Sequence, residues 1–171
     1  MQTETATMPT TAPAYDERAA RCATSSAGPS PRAGSTEGRT MTPQAFEQFL
    51  AAYIECALWS STDNSRDDGG DPLDRNYSLD DIAPETLAQM RADCEAFTAS
   101  PEWEAAYADD FWTASQGGHD FWLTRNGHGA GFWDRYWRDD DGEAHGRALS
   151  DLARGFGGFD LYIGDDGRVY G

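Results

Sequence analysis

The sequence predicts an α+β domain. A small antiparallel sheet of two hairpins, about four strands in all, packs against three or four helices behind a disordered N-terminal tail. Three observations lead there. An apolar stripe at helical spacing opens the ordered region. Two aromatic-rich stretches near the C-terminus are each interrupted by a turn dipeptide, Asn126-Gly127 or Asp166-Gly167. Finally, residues 1–40 carry no apolar periodicity, so they cannot bury enough surface to offset their ordering entropy.

The ordered domain is expected over residues 41–171. In TPQAFEQFLAAYIECALWSS, Thr42 suits an N-cap and Pro43 the first helical position. Phe46, Phe49, Leu50, Tyr53, Ile54, Ala57 and Leu58 then fall on one helical face. The polar, acidic stretch STDNSRDDGGDPLDRNYSLDD reads as a long surface loop. A second helix follows Pro84, with Leu87, Met90, Cys94 and Phe97 on one side. Ser100-Pro101 restarts a short helix carrying Trp103 and Tyr107.

Next comes GGHDFWLTRNGHGAGFWDR, residues 117–135. It reads as a hairpin: strands HDFWLTR and GFWDRYW around NGHGA. Phe121, Leu123 and Arg125 would share one strand face and Asp120, Trp122 and Thr124 the other. Both faces then hold aromatics, one for the core and one to pack under a helix or to bind. EAHGRALSDLARGF reads as a helix ended by Gly157-Gly158, and FDLYIGDDGRVYG as the second hairpin.

Charge narrows the classes of function. There are 30 acids and 13 bases, every base an arginine, for a net charge of −17. The first 40 residues are neutral, with four acids and four arginines. The whole imbalance therefore lies in residues 41–171, as 26 acids against 9 arginines. Such a chain repels nucleic acid and anionic membrane and attracts a basic partner. No apolar run reaches membrane-spanning length. Cys22, Cys56 and Cys94 show no metal-ligand spacing. With no secretory leader, they fit a reducing cytoplasm.

The candidates for chemistry are His119, Asp120 and Asp134, which a hairpin brings to one end of the sheet. A histidine with two carboxylates suits general acid–base work or a metal. The competing reading is an ion pair of Asp120 or Asp134 with an arginine. Trp122, Arg125, His128, Trp133 and Arg135 are the candidates for binding, the tryptophans and Arg125 by stacking. His128 sits at the turn tip, away from His119. NGHGAG matches neither GxGxxG nor a P-loop. The Asp-Asp clusters lack the calcium-loop pattern, and no serine lies in a nucleophile elbow. No cofactor is expected.

YIECALWSS, NYSLDDIAPETLAQMRADCEAF, GHDFWLTRNGHGAGFWDR and FDLYIGDDGRVY resemble a group of small proteins widespread in tailed-phage and prophage genomes. The resemblance covers residues 41–171. It implies a phage or mobile-element origin and an intracellular setting, and it assigns no catalytic residue. The expected function is that of an accessory protein, not an enzyme, binding a basic host or phage protein through an acidic surface. In its sharpest form it imitates nucleic acid and occupies the basic groove of a defence or DNA-handling enzyme. The alternative is a small metal-dependent hydrolase using His119, Asp120 and Asp134.

Overall fold

The computed structural model describes residues 39–65, 70–135 and 140–171, within a unit spanning Glu37–Gly171. The tail expected over 1–40 therefore lies almost wholly outside the described residues.

Helix α1 spans Pro43–Ser60, with the Thr42 hydroxyl accepting from the Ala45 amide and Pro43 in the first turn. Phe49, Tyr53, Cys56 and Ala57 on it are fully buried. The acidic loop carries two short 3₁₀ turns, Leu73–Arg75 and Leu79–Asp81. Helix α2 is Pro84–Thr98 and buries Met90, Cys94 and Phe97, as the sequence predicts. Helix α3 is Pro101–Ala108, capped by Ser100, with Trp103 and Tyr107 buried.

The expected first hairpin is a helix. Residues Ala114–Arg125 form α4, and Phe132–Asp134 form a 3₁₀ turn. Thr113 caps α4 in a reciprocal capping box with Gln116. Asn126-Gly127 closes a helix here, not a hairpin. The Gly127 amide donates to the Thr124 carbonyl (3.3 Å) and the His128 amide to that of Leu123 (2.9 Å), with Gly127 at φ +68°. This is a Schellman termination.

The reason lies in tertiary packing. Gly117, Gly118, Phe121, Trp122 and Arg125 form one helical stripe, and its two glycines let α4 lie against α1. A Cβ on Gly118 would stand 2.1 Å from the Phe49 carbonyl oxygen. One on Gly117 would stand 2.1 Å from the Trp103 ring. At Gly118 the two helix backbones meet directly.

After α4 the chain doubles back. Gly131, at φ +152°, passes so close to Thr124 that a Cβ would meet its hydroxyl at 2.2 Å. That hydroxyl accepts from the Phe132 amide (3.0 Å), which turns Phe132 into the core. There Phe97 is the hub, stacked on Phe121 (4.2 Å between ring centroids) and Phe132 (5.5 Å) and touching Phe49 and Trp103.

Helix α5, Asp140–Gly155, stops at Gly157, which has φ +73°. The last hairpin is as expected in place but short. β1 (Tyr162–Ile163) pairs antiparallel with β2 (Val169–Tyr170), Tyr162 opposite Tyr170. Val169 is fully buried and also bridges to Ile82. The described residues thus hold five helices and a two-stranded antiparallel sheet, not four strands. With so small a sheet, helix-on-helix contact supplies the core.

Candidate functional site

The residues named from sequence divide into two buried polar clusters and a few exposed groups. The first cluster centres on Asp120, which is 0% exposed. One oxygen accepts from Trp112 Nε1 (2.9 Å) and Arg135 Nε (2.8 Å), and the other accepts from the Arg135 guanidinium. The fork geometry orients the arginine and holds the chain after the Phe132–Asp134 turn against α4. Of the two sequence readings of Asp120, the observed geometry is the ion pair.

His119 stands beside this pair, half-buried. Burial lowers its pKa below the usual 6.5, against the opposing pull of Glu55 on α1 and of Asp120, while Arg135 adds to the lowering. Folding therefore favours neutral His119. As pH falls through about 6.5 the unfolded chain takes up a proton that the folded one resists. Stability declines until the folded pKa is reached and is flat below it. We expect His119→Gln to make the urea midpoint fall less steeply than wild type between about pH 7 and about pH 5. Identical slopes in the two proteins would refute this role for His119.

The second cluster centres on Arg125, whose side chain is 3% exposed. Its guanidinium donates to Tyr53 Oη (2.7 Å), Asp93 (2.7 Å), the Gly157 carbonyl (2.9 Å) and the Phe156 carbonyl (3.3 Å). The rings of Phe121, Phe156 and Phe159 lie within 5.8 Å of it. Burial pushes the Tyr53 phenol far above its normal range, although Arg125 opposes the shift. With four partners inside the protein and a side chain 3% exposed, Arg125 is closed to an outside ligand. Trp122 is equally committed: it is buried, and its Nε1 donates to Ser60 Oγ (2.7 Å). The stacking surface expected of Trp122 and Arg125 is not present.

Trp133 remains 47% exposed, with Asp134 exposed beside it. His128 lies past the end of α4, half-buried, and belongs to neither cluster. Among the described residues, no group of three or more His, Cys, Asp or Glu side chains is placed to hold a metal ion. No described helix is long and apolar enough to cross a membrane.

Two surface features lie outside these clusters. Helices α3 and α5 are in contact, with Asp109 3.2 Å from His145 Nε2, and exposed acids lie along both: Glu102 and Glu104 on α3, Asp109 and Asp110 just after it, and Asp141 and Glu143 on α5, of which Asp110 pairs with Arg39 and Glu143 with Arg147. The other is a hollow of about 330 Å³ on the last hairpin, lined by Tyr162, Gly164, Asp165, Asp166 and Tyr170. Asp166 accepts from Tyr170 Oη (3.1 Å), which raises the pKa of that phenol. Alternation about the Asp-Gly turn was the available signal, because it sets Tyr162 opposite Tyr170.

No family model, curated protein or solved structure matches the chain.

A wider pattern runs through both clusters and the surface. Every arginine among the described residues is ion-paired with a carboxylate. Because the chain has no lysine, these arginines are the fixed side-chain cations of the described residues, and the surplus charge there is carboxylate.

Proposed function

We propose that this protein is an accessory protein of a phage or mobile element, working in the host cytoplasm by binding a basic protein through its acidic surface. Imitation of nucleic acid is the concrete form: carboxylates take the place of phosphates in a basic groove. The observation that carries the reading is the internal pairing of the described arginines. It leaves no described arginine unpaired to recruit a phosphate, while acids such as those of the α3–α5 seam stay in solvent. The resemblance of residues 41–171 to tailed-phage proteins supports the setting.

The hydrolase alternative has less support. Asp120 spends both oxygens on Arg135 and Trp112, so a substrate or metal would first have to break a buried ion pair.

The test is titration of the full chain with an octa-arginine peptide. Binding should tighten several-fold between about 200 mM and about 50 mM salt, and duplex DNA should compete for the same peptide. Absence of binding at the lower salt would overturn the reading.

A further inference from the structure

The hairpin hollow has a chemistry of its own. Two tyrosine rings line it, stacked on one another with centroids 5.8 Å apart and planes 25° from parallel. Tyr170 packs against the ring of Tyr162, which is nonetheless 58% exposed. Gly164 makes the arrangement possible, since a Cβ there would stand 2.6 Å from the Tyr170 ring.

The floor is the Asp165-Asp166 turn. Asp166 is occupied by the Arg168 amide (3.1 Å) and Tyr170 Oη, with the Arg168 guanidinium at 3.9 Å. Asp165 is exposed and makes no ion pair among the described residues. An exposed aromatic ring beside an uncompensated carboxylate is complementary to one kind of group, a flat cation.

We propose that this hollow receives an arginine side chain of a basic partner protein, its guanidinium stacked on the exposed ring of Tyr162 and paired with Asp165. The site rests on the acidic-surface reading and locates one contact within it. Arginine is the occupant rather than lysine because a planar guanidinium stacks on a ring and forks onto a carboxylate in the same pose. A compact, strongly hydrated ammonium does one or the other.

The experiment compares octa-arginine with octa-lysine on the full-length protein. Tyr162→Ala should weaken octa-arginine about threefold to fivefold and octa-lysine clearly less, while Tyr162→Phe keeps the arginine affinity. Asp165→Asn, an exposed turn change that leaves the core untouched, should cost about threefold and flatten the salt dependence. Asp151→Asn, on the exposed side of α5, should leave the arginine preference unchanged. If wild type binds octa-arginine and both Tyr162→Ala and Asp165→Asn bind it equally well, the hollow is not the contact and the acidic-surface reading stands. If wild type fails to bind octa-arginine, both fall together.

Discussion

Arg125→Met is expected to remove about 3 to 5 kcal/mol of stability, read as a fall in the urea midpoint at unchanged slope. The whole domain is expected to hold about 5 to 15 kcal/mol, so the variant should be partly unfolded or close to it. The size of the loss comes from what stays behind. Methionine fills much of the arginine's volume, so little cavity term arises. Yet Asp93, Tyr53 Oη and the carbonyls of Phe156 and Gly157 all lose this donor at once, Tyr53 Oη in a buried setting and the others in a part-buried one. Arg125→Lys should recover only a minor part, because one ammonium cannot reach groups spread around a planar fork. A double-mutant cycle with Asp93→Asn should show strong coupling. If Arg125→Met instead lost less than about 1 kcal/mol, the cluster would be solvated in solution and its central place in the fold would be refuted.

Gly118→Ala is expected to be nearly as damaging. In an exposed helix interior that change would stabilise by about 1 kcal/mol, since alanine has the better helix propensity. Here the added Cβ would lie 2.1 Å from the Phe49 carbonyl oxygen and 2.9 Å from the Tyr53 nitrogen. Both are backbone atoms inside α1, so neither can swing aside. The helices must separate, and the Phe121, Trp122 and Tyr53 rings move with them. A loss of about 3 kcal/mol or more outweighs the propensity gain. Gly129→Ala is the control: its Cβ would meet nothing within 4 Å, and the midpoint should shift by less than about 0.5 kcal/mol equivalent. Stabilisation by Gly118→Ala would mean that α1 and α4 do not touch as described.

The contrast between these glycines explains where sequence reasoning succeeded and where it failed. Helices α1, α2 and α3 announce themselves by apolar residues at helical spacing, as with Met90, Cys94 and Phe97, and α5 by Leu149, Leu152 and Phe156 on one side and the glycines that end it. The last hairpin is legible from Asp166-Gly167 and the alternation around it. Helix α4 hides because its contact stripe begins with two glycines and ends with an arginine, none of which registers as apolar. The two Phe-Trp doublets then look like strand. Two signals stood against that: Thr113 three residues before Gln116 is a capping-box pattern, and Asn-Gly ends helices as readily as it turns hairpins.

The candidate site suffered from the same error. Placed on strands, Trp122 and Arg125 looked available; on a helix enclosed around most of its girth they are interior. An ion pair of Asp120 or Asp134 with an arginine is legible as one of two readings because it needs only that both ends approach; the structure makes it Asp120 with Arg135. The tyrosine hollow is not legible as a site in the sequence because neither ring carries a motif.

The polar knot around Arg125 also bears on how the chain is made. Two of its acceptors, the carbonyls of Phe156 and Gly157, are supplied by a segment more than thirty positions downstream. Until the ribosome has released that segment, the guanidinium has half of its partners and the aromatic centre lacks Phe156. The Arg125 cluster is therefore complete only once Phe156 and Gly157 have joined the rest of the domain.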